Sequence, residues 1–186
     1  MTPAQGEGPF YPIHAQDDKD ADLTRVSSAT TRAEGEIIVI AGSVKDENGE
    51  PIANAVVDVW QANAAGRYAR EEDPHTAPLG ANFQGWAILK TDAEGNYRFK
   101  TIKPGAYPAT AEWSRPPHIH YIVSRRGYHE LTTQMYFPGD KLNDVDLLLN
   151  GVDESARSAL IASKESLSDD ADTQDLYRFD VVIASV

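Results

Sequence analysis

Residues 107–123 read YPATAEWSRPPHIHYIV, and the last six of them set the kind of fold the chain must have. They form a β-branched and aromatic run, His118-Ile119-His120-Tyr121-Ile122-Val123, of the composition favoured in strands. Successive side chains on a strand leave opposite faces. His118 and His120 therefore share one face, and Ile119, Tyr121 and Val123 share the other, where they can anchor the strand in a core. The histidine face can bind a metal. Two alternating histidines also occur on plain solvated strands, so the residues around them matter: Tyr107 and Arg115 lie just upstream.

Working outward, the same strand chemistry recurs. Residues 36–44 (EIIVIAGSV), 55–60 (AVVDVW), 85–89, 97–99, 118–123, 132–137 and the alternating run 177–183 read as strands. Turn clusters separate them, notably Asp46-Glu47-Asn48-Gly49 and the stretch from Thr91 to Asn96. Many short strands punctuated by turns predict an all-β fold, a β-sandwich of mostly antiparallel strands with long loops and one or two short helices. Helical character is expected only over 150–165, where Ala156, Ala159, Leu160 and Ser163 fall near helical spacing and Asp153 and Glu154 suit a first turn.

A chain of 186 residues is long enough for a real core and sits within the single-domain range, so one domain spanning 1–186 is expected, with an N-terminal arm over about 1–35. That arm is polar and turn-rich apart from the aromatic knot Gly8-Pro9-Phe10-Tyr11-Pro12, which must pack on its own domain or on a partner subunit. No run approaches the roughly 18 apolar residues of a membrane helix, and MTPAQGEGPFYP lacks the basic and apolar regions of a signal peptide. A cytoplasmic protein with no membrane contact is the expectation. With 0 Cys, disulfides, zinc fingers, iron–sulfur clusters and cysteine catalysis are excluded. A formal net charge of -12 argues against a nucleic-acid partner.

Residues 61–84 make a long excursion with few core formers, and loops of that length in a compact domain are usually functional or disordered. This one carries Gly66-Arg67-Tyr68, Asp73, His75 and Phe83, and reads as the wall of a site. There is no Gly-x-Ser-x-Gly elbow for triad catalysis and no phosphate loop, because no strand precedes Gly6-Glu7-Gly8. A third histidine or a carboxylate would complete an ordinary zinc set. The notable oxygen donors near the histidines are instead tyrosines, Tyr107 and Tyr68. A phenol has to lose a proton of pKa about 10, which a strongly charged cation can enforce. Two imidazoles and two phenolates would suit ferric iron, while a tyrosine in a β-protein is also an ordinary core or rim residue.

The runs VWQANAAGRY (59–68), NFQGWAILKTDAEGNYRFKTIKPGAYP (82–108), RPPHIHYIV (115–123) and LTTQMYFPGD (131–140) resemble the intradiol ring-cleavage dioxygenases, and within them the protocatechuate 3,4-dioxygenase group. The resemblance spans about residues 6–185. It implies a β-sandwich enzyme with non-haem Fe(III) held by Tyr68, Tyr107, His118 and His120, all four present, as in the catalytic type of subunit. It implies that Tyr107 takes a substrate proton, that Arg115 stabilises charge developing on the ring, and that Gln134 stands near the same centre. Pro9, Tyr11, Trp60 and Arg115 are the candidate substrate contacts. The implied reaction is cleavage of a catechol between its two hydroxylated carbons by O2 to a cis,cis-muconate-type product, with protocatechuate, giving 3-carboxy-cis,cis-muconate, as the first candidate substrate and hydroxyquinol, catechol or a substituted catechol as the alternatives.

Two departures bear on the substrate. Ala109 stands where that group often has a bulky aromatic, and the segment between Tyr107 and His118 is shorter than usual. The helical N-terminal domain of the catechol and hydroxyquinol branch has no counterpart here. The arm resembles one that a partner subunit supplies in hetero-oligomeric relatives, so a homo-oligomer whose single chain carries both iron and arm is expected, a related partner subunit being the alternative. Arg67, Arg70, Arg125 and Arg126 are the candidate partners for a substrate carboxylate, and an ion pair with Glu112 or another surface acid is the structural alternative for Arg115. Residues 46–59 also resemble prealbumin-like binding modules without catalysis, which keeps a binding function open; a zinc hydrolase is more distant.

Overall fold

The computed structural model describes residues 1–186 apart from 15, 17, 27, 28, 71 and 167–174. Two sheets face each other. One is organised on β1 (Ile37–Lys45), which pairs antiparallel with β4 (Asn96–Ile102) along one edge. Along the other edge β1 pairs parallel with β10 (Asp175–Arg178) and then β11 (Val181–Val182), and β9 (Ser163–Ser166) closes the sheet on β10. The second sheet is fully antiparallel in the order β3-β2-β7-β8, from Trp86–Lys90, Val56–Trp60, His118–Ser124 and Leu131–Tyr136. A small ribbon pairs β5 (Tyr107–Pro108) with β6 (Ser114–Arg115). This is the expected β-sandwich.

Alternation decides what lies between the sheets. Ile119, Tyr121 and Val123 of β7 join Val57, Val59, Ile38, Ile40, Tyr97 and Phe99 in one buried cluster. Tyr121 meets Tyr97, Phe99 and Phe179 at ring separations of 6.1, 6.5 and 5.1 Å, which ties the two layers together. The opposite face of β7 is covered by loops rather than by a sheet. There the register sets Trp60 and Gln134 on either side of His120, and Tyr136 beside His118.

The two turn clusters are built alike. Asp46 Oδ1 accepts from the amides of Asn48 and Glu50, and Asp92 Oδ1 from those of Glu94 and Asn96; Gly49 and Gly95 supply positive φ of 86° and 77°. The arm packs on its own domain. Thr2 bonds to Val182, the Gln5 amide donates to Thr132 O, and the Lys100 amide donates to Ala21 O. Leu23 is fully buried in the main core.

The helical expectation over 150–165 needs correction. Helix α1 is Leu147–Asn150, α2 is Glu154–Arg157 with Asp153 at its N-cap, and a 3-10 turn, Ser158–Leu160, ends the helical chain. The Ala162 amide then donates to Tyr136 O, and Ser163–Ser166 becomes β9. Only Leu149 and Leu160 of these turns are buried, too little packing to sustain a longer helix against its nucleation cost. The closing run is likewise divided, because Phe179 and Asp180 leave the ladder between β10 and β11. Among the described residues no helix is long and apolar enough to cross a membrane.

Candidate metal centre

The outer face of β7 presents both imidazoles to the excursion loop. Asn63 shapes that loop: its Oδ1 accepts from the amides of Ala65 and Arg67, and its Nδ2 donates to Pro78 O. Gly66 takes φ 78°, a region that favours glycine, and a Cβ there would lie 2.3 Å from Ala106 O, so the loop bearing Tyr68 and the strand bearing Tyr107 touch. Asp73 Oδ2 accepts from the Tyr68 amide at 2.7 Å and fixes the tyrosine backbone.

The result is convergence of three side-chain atoms. Tyr68 Oη lies 3.1 Å from His120 Nε2 and 3.4 Å from His118 Nε2, and the two Nε2 atoms are 3.2 Å apart. His118 Nδ1–H donates to Pro116 O at 2.7 Å, which leaves its Nε2 as a lone pair aimed at the other two atoms. His120 stacks on Trp60, with ring centroids 4.8 Å apart and planes 9° apart. The Tyr107 ring stands 5.7 Å from both the Tyr68 and the His118 rings. Among the described residues no group of three His, Cys, Asp or Glu gathers that could hold a metal, and the further donors at this histidine pair are phenols. Nitrogen and oxygen donors at about 2.0–2.2 Å from one ion lie about 3 Å apart, the spacing seen here.

Electrostatics agree with that use. Burial, then Arg115, lowers His118 to about 3, and burial, His118 and Arg115 hold His120 well below the usual imidazole range. Both rings are therefore neutral and available as donors. Burial, then neighbouring Tyr107, pushes Tyr68 well above the ordinary phenol range, and burial raises Tyr107 against the opposing pull of Arg115. Without a cation these phenols stay protonated; a trivalent ion would invert that preference.

A cavity of about 550 Å³ opens beside the cluster, lined in part by Pro9, Phe10, His75, Tyr107, Arg115 and His120. Arg115 is 4% exposed. Its Nε donates to Asp146 Oδ1 at 2.9 Å, and one terminal nitrogen donates to Gln134 Oε1 (2.8 Å), Tyr136 Oη (2.9 Å) and Asp146 Oδ2 (3.3 Å). Its ion pair is thus with Asp146, not Glu112. Gln134 Nε2 donates to Gly6 O, which draws the arm to the site.

Two candidate substrate contacts lie elsewhere. Trp60 is buried behind His120, and Tyr11 packs edge-on against Trp60 with its hydroxyl donating to Asp58 Oδ2 at 2.9 Å, so neither lines this cavity. Pro9 and Arg115 do line it. Arg67, Arg70, Arg125 and Arg126 do not. Sequence reasoning missed Asp146 and Tyr136. Tyr136 shares a strand face with Gln134 two residues before it, and Asp146 precedes the apolar run Leu147-Leu148-Leu149 as an N-cap would, so both left a signal.

A family model described as Dioxygenase_C, dioxygenase, matches residues 6–185. The chain is 46% identical over 182 residues to the protocatechuate 3,4-dioxygenase beta chain of Burkholderia cepacia, covering 94% of this chain and 77% of that one. It is 33% identical over 159 residues to a catechol 1,2-dioxygenase of Acinetobacter lwoffii, covering 75% of this chain and 52% of the relative. Among solved structures, the dioxygenase domain of a dioxygenase carbohydrate-binding protein fusion from Streptomyces sp. SirexAA-E superposes with a TM-score of 0.73 at 29% identity, covering 100% of this chain and 99% of that one.

Proposed function

The chain belongs to the intradiol ring-cleaving dioxygenase family, and from that premise we propose that it is a non-haem ferric enzyme that opens a catechol between its two hydroxylated carbons with O2. The observation that carries the reading is the meeting of Tyr68 Oη, His118 Nε2 and His120 Nε2 within 3.4 Å of one another, with Tyr107 beside them on the cavity wall. Tyr68, Tyr107, His118 and His120 would hold the metal. Bound there, ferric iron would supply Lewis acidity that favours loss of the catechol hydroxyl protons, and the resulting catecholate is more electron-rich toward O2 than the neutral catechol.

The chain's own residues then have distinct tasks. His118 and His120 enter as neutral imidazoles, so only the phenols release protons on loading, and uptake of the metal is favoured as pH rises. Tyr107 borders the cavity, next to Arg115, and is the phenol placed to take back a proton from a substrate hydroxyl. Arg115 is charged, buried and fixed by Asp146, which suits it to stabilise negative charge growing on the ring. Gln134 links Arg115 to Gly6, so the arm and the guanidinium hold one another in place. Phe10, stacked on Tyr68 at 4.8 Å, helps keep water from the cluster.

The arm supplies part of its own chain's cavity wall, which supports a self-contained site in a homo-oligomer; light scattering of the purified chain tests the assembly. The chemistry is tested by loading the protein with iron, measuring metal content and the visible phenolate-to-iron band, and following O2 uptake with protocatechuate as the reference substrate among several catechols. A red-brown protein yielding a muconate-type product is expected. A colourless iron-loaded sample that leaves every catechol intact would favour the non-catalytic binding module.

A further inference from the structure

We infer that the cavity takes catechols bearing an uncharged, apolar substituent and discriminates against those bearing a carboxylate; this rests on the catechol-cleaving reading above and concerns the substrate class of the same site. A carboxylate moved out of water needs a cation or several donors to meet it. Arg115 is the single guanidinium on the wall among the described residues; its Nε and one terminal nitrogen are already bonded to Asp146, Gln134 and Tyr136, and the ring-cleavage reading assigns its charge to the ring rather than to a substituent. The wall also carries Asp73, buried and fixed by the amides of Tyr68 and His75, which adds a negative charge.

The other arginines are placed where they cannot help. Arg67 donates to Ala77 O at 2.7 Å, and Arg70 pairs with Glu72 and donates to Tyr11 O. Arg125 and Arg126 follow the far end of β7, five residues or more beyond His120, which is about 17 Å along a strand. His75 is the basic group on the wall besides Arg115 and His120 among the described residues, and its Nδ1 accepts from the Ala77 amide.

The rest of the wall is mostly apolar, its remaining neutral donors being the hydroxyls of Thr76 and Tyr107 and the unpartnered Nε1 of Trp113, with no second guanidinium beside them among the described residues. Pro9, Phe10, Pro108, Ala109, Trp113 and Leu148 line it, and Ala109 contributes only a methyl group. The volume of about 550 Å³ exceeds what a bare dihydroxybenzene ring fills and lies in the range of larger ligands. Leu148, 38% exposed, is a partly exposed lining residue, so a substituent that reaches it meets hydrocarbon.

The test uses the full iron-loaded chain at pH 8, where imidazoles are ordinarily neutral. Anaerobic calorimetry gives the affinity, and O2 uptake gives kcat/KM, for 4-ethylcatechol, catechol and protocatechuate. The expected result is an advantage of at least about tenfold for 4-ethylcatechol over protocatechuate in both measurements. Ala109→Arg, which sets a guanidinium on the wall, should shrink that ratio at least about tenfold, and Leu148→Lys at the exposed rim provides the same test should the first variant fail to fold. Protocatechuate binding as tightly as 4-ethylcatechol, or a ratio unchanged by the introduced cation, overturns the inference while ring cleavage stands. Absence of binding and cleavage for all three compounds overturns the catechol reading itself.

Discussion

Asp146→Asn is the substitution that most directly tests how the site is held. Asp146 is fully buried, takes two hydrogen bonds from Arg115 at 2.9 and 3.3 Å, and accepts from the Leu149 amide at 3.0 Å as the N-cap of α1. Asparagine keeps the shape and one acceptor oxygen but removes the charge. Breaking a buried ion pair at one partner costs about 3–5 kcal/mol, because the surviving charge stays out of water. The retained acceptor puts the asparagine variant near about 3 kcal/mol, and Asp146→Ala, which also loses the cap, nearer about 5 kcal/mol. With a urea m-value of about 2–3 kcal/mol/M, the asparagine midpoint should fall by about 1 M and the alanine midpoint by about 2 M. The double variant Arg115→Met/Asp146→Leu should recover most of that loss, since it leaves no orphan charge. The asparagine variant should also lose kcat, as Arg115 turns from the ring toward other acceptors. A midpoint within about 0.2 M of the parent for Asp146→Asn would refute the reasoning, because no buried charge would then have depended on the pair.

Gly66→Ala should destabilise by at least about 2 kcal/mol in the same urea assay, from strain at φ 78° and the 2.3 Å approach to Ala106 O, and should weaken the visible iron band by displacing Tyr68 from Tyr107. Tyr11→Phe removes the hydroxyl that satisfies Asp58, and should cost about 1–2 kcal/mol while leaving the arm more open to limited proteolysis. Alkaline titration gives a further check. Burial raises Tyr97, Tyr121 and Tyr136 above the ordinary phenol value and Tyr11 to about 12. Groups raised in the folded state contribute stability that is complete below the unfolded value of about 10 and is lost as pH climbs toward the folded values. Phenolate absorbance from the buried tyrosines should therefore appear together with the loss of circular dichroism, above pH of about 10. Gradual ionisation with the fold intact would contradict their burial.

Local pattern carried much of this protein. Alternation in residues 118–123 assigned Ile119, Tyr121 and Val123 to the core and the two histidines to the other face, because a strand has a period of two whatever surrounds it. Aspartate and glycine spacing likewise marked both turns, since the Asx hydrogen bonds and positive φ are made within the turn itself. The motifs around Tyr68, Tyr107, Arg115 and Gln134 singled those residues out, although not the distances between them. Tertiary structure alone decided which distant groups meet. Asp146, rather than nearby Glu112, pairs with Arg115; Tyr11 and Trp60 pack behind His120 instead of facing the cavity; the arm closes over its own domain; and the chain after Leu160 joins a sheet in place of extending a helix. Periodicity specifies the face from which a side chain leaves. What it meets there depends on the closure of long loops and on packing between segments dozens of residues apart, and neither leaves a periodic trace in the sequence.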